Sequence, residues 1–190
     1  AAGYLSDLKI SPDNKHIASA SVDSTVRLWN VETHESRVLQ GHSNWVLSVA
    51  FSPDGARLAS CGADMTVREW SIQADESRVL RGHEREVLAI TFSPNGQLLA
   101  SSSLDNTIRL WDVAAGTSRV LTGHESGVAS IAFSPDGTSL ASAGGDRSVR
   151  LWNVATGASR IFAGHEAGVE HVAFSPDGRR LVYSRLSPKG

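Results

Sequence analysis

Residues 82–122 read GHEREVLAITFSPNGQLLASSSLDNTIRLWDVAAGTSRVLT, and the rest of the chain is made of copies of that stretch, whole or partial. Four glycine-histidine pairs end at His42, His83, His124 and His165, a constant step of 41. Trp29, Trp70, Trp111 and Trp152 keep the same step, as do Asp23, Asp64, Asp105 and Asp146, and the prolines from Pro12 to Pro176. Independent residue types holding one period without insertion or deletion mark a stacked-unit architecture, in which one unit cannot bury its own apolar faces.

Within the stretch, Val87–Phe92 is apolar and β-branched or aromatic and reads as a strand buried on both faces. Ser93-Pro94-Asn95-Gly96 is a tight turn, because proline presets φ and Asn-Gly tolerates unusual dihedrals. Gln97–Ser102 is a second strand. Thr107–Trp111 alternates, with Ile108 and Leu110 on one face and Thr107, Arg109 and Trp111 on the other. Thr117–Leu121 is a fourth, more polar strand. Four short strands with three tight links make one antiparallel meander. Such a sheet measures about 20 Å by 19 Å from strand rise and spacing. Alone it would leave two apolar faces of roughly 400 Å² in water, each as large as the biggest patch on a typical monomer. Radial face-to-face stacking removes both.

Composition narrows the function. The net charge is −2 over 190 residues, and the pI is about 6.4. That balance lacks the basic footprint of nucleic-acid binding. No apolar run approaches the roughly 20 residues needed to span a bilayer. The opening AAGYLSDLKI has neither a basic nor an apolar leader segment, so no targeting signal and no membrane partner are expected. Cys61 is the single cysteine, which fits a reducing compartment; a cytoplasmic location is the expectation.

The Gly-His pair, the aspartate ahead of the third strand and the Trp-Asp pair ending it resemble the WD-repeat β-propeller family. Trp111-Asp112 has both letters of the pair; Trp29-Asn30, Trp70-Ser71 and Trp152-Asn153 are relaxed forms. The resemblance covers nearly the whole chain, and copies without indels resemble recently amplified arrays of bacterial type. It implies an all-β fold, a partial propeller of four complete four-stranded blades plus about half of a fifth. Cut at each histidine, the blades are 1–41, 42–82, 83–123 and 124–164, with a remnant at 165–190 forming one incomplete domain. Ala1 takes the place of the first blade's histidine, Asn14 stands for the turn glycine, Tyr183 replaces the repeated serine, and Ser187 falls where an aspartate is due. Family members close with six to eight blades and seal the ring with a strand from the other terminus. With no spare outer strand, this chain is not expected to close in that way unaided.

The resemblance also implies a hydrogen-bonded tetrad in each complete blade: His42, Ser60, Asp64 and Trp70; His83, Ser101, Asp105 and Trp111; His124, Ser142, Asp146 and Trp152. Ser, His and Asp together invite a hydrolase reading. Three copies, each tied to a tryptophan, instead read as fold elements, since a catalytic site is expected once. Metal ligation by the four Gly-His histidines is set aside because separate blades hold them apart. No cofactor is expected, and no non-repeated polar cluster for small-ligand binding is visible. Glu69 stands where other blades have leucine and predicts exposure or a paired charge. The arginines of the third strand (Arg27, Arg68, Arg109, Arg150) and of the fourth (Arg37, Arg78, Arg119, Arg160) are read as solvated or paired rather than as a phosphate ring.

Trp45 is the one tryptophan out of register. Its counterparts are Tyr4, Glu86, Gly127 and Gly168, at the start of each inner strand. With Asn44, Glu84 and Arg85 they form the candidate partner-binding rim, which family members use; packing of Trp45 against the adjacent loop is the competing reading. The function expected is a non-catalytic protein-protein interaction platform, the scaffold or sensor portion of a larger signalling protein. Further blades from the same protein or another copy are possible partners. The alternative is a fragment that completes its ring with a second copy; an enzyme or small-ligand binder ranks below both.

Overall fold

The computed structural model describes residues 4–74 and 76–185. Ala1 and Ser187 lie outside them. Among these residues all eighteen elements are strands. The first sheet holds β1 (Leu5–Ile10), β2 (His16–Ser21), β3 (Val26–Asn30) and β4 (Ser36–Leu39), in that order. The second holds β5 (Val46–Phe51), β6 (Arg57–Gly62), β7 (Val67–Ser71) and β8 (Ser77–Leu80). The third holds β9 (Val87–Phe92), β10 (Leu98–Ser103), β11 (Ile108–Asp112) and β12 (Ser118–Leu121), and the fourth holds β13 (Val128–Phe133), β14 (Ser139–Gly144), β15 (Val149–Asn153) and β16 (Ser159–Phe162). A two-stranded sheet, β17 (Val169–Phe174) and β18 (Leu181–Arg185), follows. All neighbours pair antiparallel, for example Leu99 opposite Trp111 and Ile108 opposite Leu121. The protein is a partial β-propeller of four blades and half of a fifth.

The turns explain where the strands stop. In each Ser-Pro-Asp/Asn turn the residue after the Asp or Asn has positive φ: 59° at Asn14 and 69–71° at Gly55, Gly96, Gly137 and Gly178. Asn14 thus does the glycine's work, as asparagine tolerates the left-handed region. From the second blade on, the glycine also lies against the preceding blade's turn: a Cβ on Gly96 would sit 3.5 Å from Pro53 Cδ.

One expectation is corrected. The inner strand is not uniformly buried: Val87, Ile90 and Phe92 are buried while Leu88, Ala89 and Thr91 are only half-buried. A β-bulge near Val87/Ala89, repeated in the other four blades, is the reason. It shifts the side-chain phase by one, so Val87, Ile90 and Phe92 share a face although their spacing is not strictly two. The most enclosed strand of this blade is β10, where Leu99, Ala100, Ser101, Ser102 and Ser103 are all fully buried.

Each blade therefore has two different faces. The face toward the preceding blade carries large residues: in the third blade, Val87, Ile90, Phe92, Leu99, Trp111 and Val113 pack on Ala50, Ala59, Cys61, Val67 and Leu80 of the second. The face toward the next blade is built on small residues near the axis: Ala89, Ala100, Ile108, Leu110 and Leu121 receive Ile131, Leu140 and Trp152. The same large-on-small contact joins blades one and two, and four and five.

Candidate functional site

The histidine, serine, aspartate and tryptophan of each complete blade meet. In the third blade His83 Nδ1 lies 2.8 Å from Asp105 Oδ2 and His83 Nε2 lies 2.8 Å from Ser101 Oγ, while Trp111 Nε1 donates to the same Oγ at 2.8 Å. The second blade repeats this with His42, Ser60, Asp64 and Trp70, and the fourth with His124, Ser142, Asp146 and Trp152, all between 2.7 and 2.8 Å. The donors fix the protons. Serine accepts from the indole, so its own hydrogen points at Nε2, and Nδ1–H then donates to the carboxylate.

Every lone pair of that aspartate's neighbourhood is used locally. Asp105 Oδ1 accepts from Thr107 N at 2.9 Å and Thr107 Oγ1 at 2.6 Å, and Oδ2 also accepts from Glu84 N at 3.0 Å. The aspartate thus pins the turn before β11 to the loop that leads into β9. Burial alone would raise the Asp105 carboxyl, but the Thr107, Glu84 and His83 hydrogen bonds bring it down to about 2. Asp64 and Asp146 are held low against the same penalty of burial. Burial pushes the imidazoles of His83 and His124 below their ordinary range, with the Asp105 and Asp146 hydrogen bonds opposing it.

Although this proton arrangement is that of a hydrolase triad, Ser60, Ser101 and Ser142 are fully buried and their hydroxyls already bridge histidine and tryptophan. A substrate carbonyl has no approach to those oxygens. Among the described residues no group of three or more His, Cys, Asp or Glu converges as metal ligands would.

A fifth partner of each tetrad had no distinct signal beyond a repeated arginine. Arg109 lies 5.7 Å from the Trp111 ring centre and donates to Gly82 O at 2.7 Å and Ser118 Oγ at 3.0 Å. Arg68 and Arg150 stack on Trp70 and Trp152 likewise. This placement explains Gly41, Gly82 and Gly123: a Cβ on Gly82 would fall 2.6 Å from Arg109 Cζ, whereas one on Gly164 would meet nothing within 4 Å. The fourth-strand arginines reach the next blade instead. Arg37 binds Ile72 O, Arg78 binds Val113 O, and Arg119 donates to Ala155 O at 3.0 Å. They tie an outer strand to the turn that follows the third strand of the next blade.

Glu69 is a paired charge. Arg57 Nη1 donates to its Oε1 at 3.0 Å and Arg78 Nη2 to its Oε2 at 2.5 Å. This is a non-repeated polar cluster, contrary to the expectation that none exists, and distant sequence positions assemble it across β6, β7 and β8. Its guanidiniums also reach Gly96 O and Val113 O of the third blade, so the cluster is an interblade strut.

The first and last blades lack the tetrad. Trp29 is 39% exposed, and in the last blade Tyr183 meets His165 edge to face at 4.6 Å, leaving His165 Nε2 buried without a hydrogen bond.

The rim residues stand at one end of adjacent inner strands. Tyr4 is 85% exposed and Trp45 55%, so Trp45 is not packed away against its loop. Their carbonyls accept from Val22 N at 3.1 Å and Ala63 N at 2.8 Å, as Glu86 O does from Leu104 N at 3.0 Å. Asn44 Oδ1 accepts from Trp45 N at 2.8 Å, and Arg85 Nη1 donates to Leu104 O at 3.4 Å. Glu84 is exposed. At the fourth blade Leu104 lies beside Gly127, where a Cβ would sit 2.6 Å from Leu104 Cδ2. Met65, in the turn between β6 and β7, is also exposed. Its signal was a methionine where the equivalent turn residues are Ser24, Asn106 and Arg147.

A sequence model described as "WD domain, G-beta repeat" matches residues 2–30, 34–71, 75–112, 116–153 and 158–184. The chain belongs to the WD-repeat family. Each later match begins just before an outer strand; the second to fourth end with the third strand of the following blade and the last ends within β18, so the sequence unit of this WD-repeat protein is offset by one strand from its sheets. A protein of Arabidopsis thaliana, "Target of rapamycin complex subunit LST8-1", is 43% identical over 44 residues. That stretch is 23% of this chain and 14% of the relative. WD-repeat propellers serve as scaffolds for protein-protein contact, and the relative is by name a subunit of a complex.

Proposed function

We propose that this WD-repeat chain is a non-catalytic platform that binds a protein partner through the rim of its first two blades. The observation that carries it is the pair of protruding aromatics, Tyr4 and Trp45, each just before an inner strand and each with its carbonyl held by the facing turn. Their side chains stand largely in solvent, and rigid aromatic anchors of this kind contribute about 2 kcal/mol or more when a partner buries them. The buried tetrads support the same reading, because their reactive groups are consumed in holding the blades. The chain would act as the scaffold or sensor portion of a larger signalling protein, in the cytoplasm, where the buried Cys61 thiol stays reduced. A pull-down from the source cell comparing wild type with Tyr4→Ala/Trp45→Ala tests it. The double variant should melt at the wild-type temperature and lose its partner; undiminished recovery would remove the rim from the interaction.

A further inference from the structure

The turn between β6 and β7 carries a side chain that its backbone does not favour. The residue after the aspartate of this turn is left-handed in the first four blades, with φ of 69° at Ser24, 63° at Met65, 70° at Asn106 and 64° at Arg147. That region suits asparagine and other short polar side chains, which can bond their own turn; a methionine gains nothing there. The tetrad of the second blade holds it in place. Asp64 Oδ1 accepts from Thr66 N at 3.1 Å and Thr66 Oγ1 at 2.8 Å, and Oδ2 accepts from Ser43 N at 3.0 Å. Ala63 N donates to Trp45 O at 2.8 Å, which fastens the turn to the Trp45 loop. Met65 itself is 45% exposed, and among the described residues it joins none of the clusters that pack blade on blade. Strain held by its surroundings under a side chain with no packing role is a mark of ligand clamps and switch regions. The chain has two sulfur atoms, those of Cys61 and Met65. Cys61 is fully buried, and burial pushes its thiol far above the ordinary range, so no thiolate is presented. Met65 is therefore the sulfur that an oxidant in solvent meets first.

We infer that Met65 is an oxidation-controlled anchor of the rim: a peroxide converts its thioether to the sulfoxide and so releases the bound partner. The inference rests on the rim reading and adds the residue and the reaction that regulate it. In the step the sulfur lone pair attacks one peroxide oxygen, the O–O bond breaks and an S–O bond forms. The other oxygen takes up the proton and leaves as water, so methionine is oxidised by two electrons and the peroxide is reduced. The free chain loses little, because the new polar oxygen stands in water. In the complex the same oxygen lies under a surface that had covered a thioether, and burying a polar group without a donor is costly. Oxidation thus acts on binding and spares the fold. Reduction by a methionine sulfoxide reductase restores the thioether, so the control is reversible.

Brief treatment of the folded chain with hydrogen peroxide, followed by peptide mass analysis, tests the first step. The Met65 peptide should gain about 16 Da, one oxygen atom, while iodoacetamide added afterwards leaves Cys61 unlabelled. An unmodified Met65, or a Cys61 that reacts before it, overturns the inference. The oxidised chain should melt within about 2 °C of the untreated one; a larger fall gives Met65 a structural role and also overturns it. Pull-down from the source cell tests the second step. Partner recovery should fall about tenfold or more on oxidation and return after treatment with the reductase. Met65→Leu keeps an apolar side chain without sulfur and should recover the partner equally before and after peroxide. Met65→Gln is polar from the outset and should recover as little as oxidised wild type. Undiminished recovery by oxidised wild type, or an equal loss in Met65→Leu, refutes the role of the methionine. The Tyr4→Ala/Trp45→Ala variant separates the two readings. If it loses its partner while oxidation has no effect, the rim stands and Met65 is removed from it; if it keeps its partner, the rim fails and this inference with it.

Discussion

Ser101 and Ser102 are neighbours on β10, both fully buried, yet replacing them with alanine should have opposite effects. Ser101 Oγ bridges Trp111 Nε1 and His83 Nε2, each at 2.8 Å. Ser101→Ala leaves a buried indole N–H and a buried imidazole nitrogen without partners, and no water can reach either. Each orphaned group costs about 1–3 kcal/mol, so the loss is about 2–6 kcal/mol. For a chain of this size each kcal/mol moves Tm by about 2–4 °C, which gives a drop of about 4–24 °C. Ser102 Oγ, on the other face, has no hydrogen-bond partner, and the same position is Ala20, Cys61 or Ala143 in other blades. Ser102→Ala removes an unsatisfied hydroxyl without creating an orphan and should be neutral or stabilising by up to about 1 kcal/mol. Thermal unfolding followed by tryptophan fluorescence and far-ultraviolet circular dichroism measures both. A Ser101→Ala variant melting within 2 °C of wild type, or a Ser102→Ala variant falling as far as Ser101→Ala, would refute the view that the tetrad serves as a fastener.

His83 and His124 have lowered affinity for protons when folded, so the unfolded chain binds protons first on acidification. Stability should be full above about pH 6.5 and fall below it, by up to about 1.4 kcal/mol per pH unit for each histidine; a Tm unchanged from pH 7 to 5 would contradict this. Asp105 contributes in a lower window, present above about pH 4 and lost as pH falls toward 2. Gly82→Ala should cost about 1–3 kcal/mol, since the added carbon meets a guanidinium pinned by Gly82 O, Ser118 and the Trp111 ring; chemical denaturation reads the loss. Glu69→Leu should stay within about 1 kcal/mol of wild type, because Arg57 and Arg78 keep 33% and 40% side-chain exposure and can hydrate. Arg57→Ala/Arg78→Ala should instead cost about 3–5 kcal/mol by stranding a carboxylate that is only 8% exposed; equal losses in the two variants would sink the argument.

Much of the fold is legible in the chain because a period of 41 carries it. Local chemistry at each turn, such as Ser-Pro-Asn-Gly at 93–96, needs no tertiary partner to be read, and neither does the alternation of Ile108 and Leu110 with Arg109 and Trp111. The candidate rim was also legible, as variation at Tyr4, Trp45 and Glu86 within an otherwise regular array. What was not legible is what depends on a shift of phase or on a neighbour. The bulge in each inner strand moves Ile90 onto the same face as Val87, and composition cannot distinguish that from a strand buried on both faces. The Glu69 strut joins residues whose sequence separations carry no motif.

By itself the sequence determined the repeated antiparallel leaf, the number of whole leaves and the residue types that fasten each one, since those follow from turn chemistry and strand patterning within a single unit. Only the tertiary structure decided which face of a leaf is large and which is small, where each arginine spends its hydrogen bonds, and that Trp45 stands in solvent while Trp70 does not. Those properties belong to the contact between neighbouring leaves, where one unit's side chains fill the hollows of the next, and no single unit contains that information.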